Sequence, residues 1–230
     1  MMVAQQLYEG VELGEAGSVG LITYMRTDSV RVAEEALTAV RELIARDYGM
    51  DYLPKTPRRY KVKSGAQDAH EAIRPTTMKH SPKSIKRYLT IEQFKLYELI
   101  WQRFVASQME AAIQEQTSID IEAGKFLLRV TGTVTLFRGF LQAFDDFTEE
   151  DEEEKSSNAA MPTALEIGEM LSLLDIHPAQ HFTKPPARFS ESSLVKELDA
   201  LGIGRPSTYA MIISTLTARK YVEKLARQPS

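Results

Sequence analysis

The chain has 230 residues, 43% of them hydrophobic, which is enough apolar side chain to bury one large core or two to three smaller ones. Cysteine is absent, which excludes disulfides and thiolate metal ligands; there is also no run of about 18 apolar residues and no charged leader before an apolar stretch, so the expectation is a cytoplasmic protein with no membrane span. The net charge of −4 conceals a division: residues 51–110 carry 12 basic against 6 acidic side chains, residues 111–180 carry 4 against 14, and residues 181–230 carry 8 against 4. Two basic flanks around an acidic middle place any contact with a polyanion on the flanks.

Residues 1–9 are helical in pattern but begin without an N-cap or a turn, so the expectation is a fragment of a longer protein. Gly10, Gly14, Gly17 and Gly20 mark a loop. Residues 19–26 are β-branched, aromatic and apolar in near alternation, which predicts a short strand ending where Thr27-Asp28-Ser29 opens a helix. Side chains two apart on a strand share a face, so Tyr24 and Arg26 are expected as neighbours. A phenol beside a guanidinium, with helix amides following, suits a phosphate. Tyrosine can also be a covalent nucleophile if something stabilises its phenolate, and Arg26 is placed to do so. An arbitrary Tyr-x-Arg is far more often a packed strand tyrosine beside a surface arginine.

Residues 29–48 carry an apolar stripe at Val32, Ala36, Val40, Leu43 and Ile44, with Asp28 or Ser29 as cap and Gly49 as terminator, and this helix is expected to point its N-terminus at the phosphate site. The basic, proline-containing residues 54–63 read as an extended arm. In Asp68-Ala69-His70-Glu71-Ala72-Ile73-Arg74-Pro75-Thr76 the histidine has acids close by on both sides, a setting for a proton carrier or a cation beside a phosphate. Thr90-Ile91-Glu92-Gln93 is a capping box opening a long core helix through Tyr97, Trp101, Phe104 and Met109. From Gln114 the period becomes two. Strands are expected over 117–122, 125–134 and 137–144, then around 165–167 and 170–176, so that residues 113–183 form a sheet interrupted by an acidic loop at 145–157.

Lys184-Pro185-Pro186 is a linker. Ser190 then caps a helix between the staple residues Phe189 and Leu194, Gly202 stops it, and a second helix is expected from Pro206 to about Lys220. The pair reads as a helix-turn-helix unit in which Arg205, Ser207 and Thr208 put a cation, two hydroxyls and free amides at one helix start, a phosphate clamp without base readout.

Three of these stretches carry a resemblance. Ile22-Thr23-Tyr24-Met25-Arg26-Thr27-Asp28-Ser29 resembles the active-site segment of type IA DNA topoisomerases, and Met25 is the spelling of the bacterial topoisomerase I branch rather than of topoisomerase III. The His70 stretch and Arg205-Pro206-Ser207-Thr208-Tyr209 resemble two further motifs of that family in the same order. The resemblance implies that Tyr24 attacks a DNA phosphodiester and becomes linked to the 5′ phosphate, with Arg26 and His70 beside it. It also implies that the helix holding Gln5 and Glu9 approaches the site, where these two contact DNA or orient Arg26. Ser190, Arg205, Ser207 and Thr208 are the further DNA-contact candidates. The implied activity is relaxation of negatively supercoiled DNA by cutting one strand, passing DNA and religating, without ATP. The family's Mg²⁺ is held by an acidic Toprim domain that nothing in this chain matches, so no metal ligand is assigned here and the fragment is expected to be inactive alone.

The expected fold is therefore α+β and multidomain: a helical active-site domain at 1–112, an antiparallel β arch or hinge at 113–183, and a C-terminal helix-turn-helix-like segment at 184–230. The expected partner is DNA, single strands above all, bound by a monomer in the bacterial nucleoid. Two other readings stay open, a non-enzymatic DNA-binding module and a topoisomerase III or reverse gyrase.

Overall fold

The computed structural model describes residues 2–25, 29–60, 71–145, 165–180, 182–183, 185–205 and 208–225. The chain divides into two compact units, residues 1–163 and 164–230.

The first unit is built on three helices whose apolar stripes share one core. Helix α1 (Met2–Glu9) contributes Leu7, α2 (Glu34–Asp47) contributes Val40 and Ile44, and α4 (Ile91–Ser107) contributes Tyr97, Trp101, Phe104 and Val105. Helix α4 starts at the expected capping box: the Gln93 amide donates to the Thr90 hydroxyl at 3.2 Å, and the Gln93 side chain accepts from the Thr90 amide at 3.0 Å. Trp101 and Phe104 are core residues, 4% and 5% exposed, rather than platforms for bases. Burial pushes the Tyr97 phenol up, and its hydroxyl donates to the His80 carbonyl at 2.7 Å, just before the short helix α3 (Pro82–Ile85).

Two small antiparallel sheets complete this unit. Strands β1 (Val11–Glu12) and β2 (Ser18–Val19) form a short ribbon. Strands β3 (Ile113–Ala123) and β4 (Phe126–Phe137) form a long hairpin, with Asp120 and Arg129 directly opposite each other and ion-paired. No residue of the hairpin is buried, and Phe126, Leu128, Val134 and Leu136 stand more than half exposed.

The sheet is smaller than the alternation suggested. The expected strand at 137–144 is instead the end of β4, a 3-10 turn (Gly139–Leu141) and the short helix α5 (Gln142–Asp145). At Gly139 the backbone runs against residues 111–112, so closely that a Cβ would lie 2.5 Å from the Ala111 carbonyl, and the Phe140 amide donates to the Glu110 carbonyl at 2.8 Å. The chain thereby leaves the ladder and returns to α4, where Ala143 is buried. The strands expected near 165–167 and 170–176 are absent, replaced by a turn at 166–169 and irregular backbone with Ile167, Met170 and Leu174 exposed.

In the second unit, α6 (Glu191–Ala200) is capped by Ser190, whose hydroxyl accepts from the Ser193 amide at 3.1 Å while its own amide donates to Ser193 Oγ at 2.8 Å. It ends in a Schellman turn, with Gly202 and Ile203 amides returning to the Asp199 and Leu198 carbonyls. Helix α7 (Tyr209–Ala218) follows. No helix of the described residues is long and apolar enough to cross a membrane.

Candidate active site

Tyr24 lies at the end of an extended segment that is held from two sides. On one side Gly20 passes so close to α1 that a Cβ there would sit 2.6 Å from the Tyr8 carbonyl oxygen, and the next amide, Leu21, donates to the Leu7 carbonyl at 2.7 Å. On the other side Ile22 forms an isolated antiparallel bridge with Pro75. The expected strand at 19–26 is therefore an extended segment with one bridge, and strict alternation fails because Leu21 and Ile22 are both fully buried, enclosed from both sides. Beyond them Met25 is half-buried and Tyr24 is 53% exposed. The Tyr24 ring meets Tyr8 of α1 edge to face, with centroids 5.2 Å apart. Its hydroxyl has no hydrogen-bond partner among the described residues, which leaves the phenol oxygen open to a substrate.

The histidine motif comes to the same place. The Thr23 amide donates to the Arg74 carbonyl at 3.0 Å, the Thr23 hydroxyl donates to the Ala72 carbonyl at 2.7 Å, and the Arg74 amide donates back to that hydroxyl at 3.0 Å. Two stretches fifty residues apart, each marked by sequence as chemical, thus run side by side. His70 itself and Arg26 lie outside the described residues, so their distances to Tyr24 are not part of this geometry.

The helix expected to begin at residue 28 or 29 begins at Glu34, with Ala33 as its N-cap. Ser29 is spent locally, its hydroxyl accepting from the Arg31 amide at 3.2 Å. The Ala33 amide donates to Glu71 Oε1 at 2.7 Å, so a carboxylate of the histidine motif already occupies this helix start. The N-cap amide of α2 is therefore taken by a carboxylate. Glu71 is pulled two ways: burial raises its pKa, but the Arg74 guanidinium at 2.8 Å, the Ala33 amide and the charge of Arg31 outweigh it and hold the carboxyl below its ordinary range.

Gln5 and Glu9 lie one turn apart on α1 and bond each other, Gln5 Nε2 donating to Glu9 Oε1 at 2.6 Å. Over its described part the basic arm has several partners within the chain. Arg59 is paired with Glu34 by two hydrogen bonds, Arg58 with Glu110, and the Tyr60 hydroxyl donates to the Ser107 carbonyl.

In the second unit the clamp is leaner than its residue types suggested. Ser207 lies outside the described residues, and Thr208 makes no cap bond to α7. The Thr208 hydroxyl instead accepts from the Arg205 amide and donates to the Arg205 carbonyl, and the same carbonyl takes the Thr208 and Tyr209 amides. Those amides are therefore not available to an anion. The Arg205 guanidinium spends one nitrogen on the Gly204 carbonyl at 2.8 Å. Among the described residues no three His, Asp or Glu side chains converge as a metal cage, so these residues do not fit the Mg²⁺ of the expected reaction.

The phenol is exposed, its backbone is held on both sides, and residues 72–75 of the histidine motif are paired against the segment that carries it. The match of this chain to the DNA topoisomerase family runs over residues 1–229, and the chain belongs to that family. It is similar to the DNA topoisomerase 1 of two Xylella fastidiosa strains, Temecula1 / ATCC 700964 and 9a5c, with 49% identity to each over 229 residues, 99% of this chain. Its fold is similar to that of full-length topoisomerase I from Thermotoga maritima in a monoclinic crystal form, with a TM-score of 0.73 and 37% identity over 98% of this chain. The chain spans 28% of the length of the Xylella proteins and 35% of the Thermotoga chain.

Sequence reasoning passed over Tyr8, Thr23 and Arg74 as site residues, and noticed Glu71 only as a neighbour of His70. The signal for Tyr8 was present. It shares a short helix with Gln5 and Glu9, and a glycine at position 20 marks the close approach that brings that helix to the tyrosine segment.

Proposed function

We propose that this chain carries the DNA-cleaving tyrosine of a type IA DNA topoisomerase I. The Tyr24 oxygen attacks a backbone phosphorus, a bond from that phosphorus to the phenol oxygen forms, and the bond to the 3′ oxygen breaks. The phenol proton ends on the departing 3′ hydroxyl. The product is a 5′ phosphotyrosyl ester and a free 3′ end. One ester replaces another, so the bond energy needed for religation is retained and no ATP is required. Passage of DNA through the gap between cutting and rejoining relaxes negative supercoils. Arg26 stabilises charge on the phenolate and phosphate, His70 serves as proton carrier or cation, and Gln5 and Glu9 face the DNA.

The observation that carries this reading is the exposed Tyr24, with no hydrogen-bond partner for its hydroxyl among the described residues, in a chain that matches the topoisomerase family over nearly its whole length. The layout that goes with it is a helical active-site domain at 1–112, a β arch or hinge at 113–183 and a DNA-binding helical segment at 184–230. Support for the arch is the hairpin β3–β4, none of whose residues is buried and which meets the helical unit through Phe137 at its root, packed on Tyr52. Support for the last segment is Arg205, which keeps most of its donors for a phosphate beside Thr208, with Ser190 and Ser207 completing the contact. The substrate is DNA, single-stranded at the cut, bound by a monomer in the bacterial nucleoid, and the Mg²⁺ of the reaction belongs to residues outside this span. The deciding experiment is Tyr24→Phe in the full-length protein. It should abolish the denaturant-stable adduct with labelled single-stranded DNA and leave DNA binding nearly unchanged; an adduct that persists refutes the assignment.

A further inference from the structure

Tyr24 lies in sequence between two stretches, 21–23 and 31–33, that are both tied to the same strip of backbone, residues 71–76. At the near end, Thr23 exchanges four hydrogen bonds with Ala72 and Arg74, and the Thr76 amide donates to the Leu21 carbonyl at 3.0 Å. At the far end, the Ala72 amide donates to the Arg31 carbonyl at 2.8 Å and the Ala33 amide donates to Glu71 Oε1 at 2.7 Å. The near anchors are backbone groups and the Thr23 hydroxyl, set into the core beside Leu21 and Ile22. The far anchor combines that Ala72–Arg31 backbone bond with one side chain, Glu71. Glu71 is itself held in place: Arg74 Nε donates to the same Oε1 at 2.8 Å, and Arg74 Nη1 donates to the Pro75 carbonyl at 2.8 Å, with the Arg74 side chain 11% exposed.

Fixing both ends of a loop to one rigid strip sets its span and removes most of its freedom. A nucleophile on such a loop is presented in one place, and small displacements of a reacting atom are costly in rate. From this geometry we infer that Glu71 is a positioning residue for Tyr24: by accepting from Ala33 it adds a second tie, beside the Ala72–Arg31 bond, between the stretch that follows Tyr24 and the strip that holds Thr23. The inference rests on the reading of Tyr24 as nucleophile. In this role Glu71 acts through the Ala33 amide and transfers no proton. Its carboxylate oxygen is used as a fixed acceptor, so an amide oxygen at the same position serves as well.

The test uses Glu71→Ala, Glu71→Gln and Ala33→Pro in the full-length protein. Ala33→Pro removes the same hydrogen bond from the donor side while leaving the Glu71–Arg74 pair alone, and the Ala33 φ of −64° already suits proline. Glu71→Ala and Ala33→Pro should each slow adduct formation at saturating single-stranded DNA by about tenfold or more, with the dissociation constant for DNA within about twofold of the parent. Glu71→Gln should recover most of the rate. In the 230-residue chain, amide exchange should show Thr23 losing protection in Glu71→Ala although Thr23 does not touch Glu71. Parental cleavage in Glu71→Ala, loss of binding in proportion to cleavage, or Glu71→Gln no better than Glu71→Ala would each overturn the inference. If Glu71→Ala does not fold, Ala33→Pro decides by the same criteria. An adduct surviving Tyr24→Phe would defeat the reading of Tyr24 instead, and the Thr23 exchange rate would still decide whether the two anchors are coupled.

Discussion

Tyr8 and Tyr24 meet edge to face, their ring centroids 5.2 Å apart and their planes inclined by 70°. Tyr8 is fixed on α1 by its neighbour Leu7, which is fully buried, whereas Tyr24 stands 53% exposed, so the first ring limits where the second can turn. Such a pair is worth about 0.5–1.5 kcal/mol beyond the area it buries. Replacing Tyr8 by Ala should therefore lower the rate of adduct formation by up to about tenfold, while Tyr8→Phe, which keeps the ring, should stay close to the parent. The cleavage rates of the two variants, measured side by side, check this. Equal loss in both would point to the Tyr8 hydroxyl rather than to the ring contact.

The Glu71 carboxyl titrates lower in the folded chain than its ordinary value of 4.5, because Arg74, the Ala33 amide and Arg31 together overcome the effect of burial. A depressed folded pKa contributes stability above the unfolded value, and that contribution disappears as the pH falls through the folded value. Glu71→Gln should accordingly melt below the parent at pH 7, and the gap should close as the pH is taken down through the range below 4.5. Thermal melts of both proteins across that range give the answer. A gap that stays constant into acid would mean that the charge on Glu71 contributes nothing.

Gly139 holds the root of the long hairpin. Its φ of +50° is unfavourable for a side chain, and a Cβ would lie 2.5 Å from the Ala111 carbonyl and 2.6 Å from the Ala112 amide nitrogen, all of it backbone that cannot step aside. Gly139→Ala should cost about 2 kcal/mol or more, read as a lower urea midpoint. An unchanged midpoint would show that the close approach is not needed for stability.

Lys220 presents the opposite case. It is the residue after the C-cap of α7, adopts φ +57°, and its amide and that of Tyr221 return to the Thr217 and Leu216 carbonyls in a Schellman turn. This is the position glycine fills at the end of α6. Lys220→Gly should stabilise the chain by about 0.5–1 kcal/mol by relieving the left-handed backbone. The urea midpoint should rise; a fall would mean that the lysine stem contributes more by packing than its backbone loses.

Signals that act within three or four residues were legible in the sequence. Thr90 with Gln93, Ser190 ahead of α6, Gly49 after α2 and Gly124 between β3 and β4 all appear where the residue types placed them. Failures occurred where a partner from far along the chain decided the outcome. Ser29 looked like the cap of α2, but the helix start is met by Glu71, thirty-eight residues from Ala33, and no local pattern announces such a cap. Alternation at 137–144 fitted a strand as well as a turn and short helix, and the close approach of Gly139 to Ala111 settled it. The site was legible as two motifs. Their pairing through Thr23 and Arg74 was not, because the antiparallel register of two short segments is set by the core residues beneath them, Leu21, Ile22 and Pro75.

Strands β3 and β4 are eleven and twelve residues long, so at about 3.4 Å per residue the hairpin reaches roughly 37 Å from its root. The root is narrow. It includes the Glu110 amide donating to the Tyr52 carbonyl, the Phe140 amide donating to the Glu110 carbonyl, the Phe137 ring against Tyr52 with centroids 4.8 Å apart, and the contact of Gly139 with Ala111. Such a hairpin is a cantilever: tilting it by about 10° at the root carries its tip through about 6 Å, more than the width of one strand-to-strand spacing. Rearrangements at Glu110 or Gly139 too small to disturb the helical core would therefore be read at the far end as large displacements, and a load applied at the tip would be felt as torque on the end of α4.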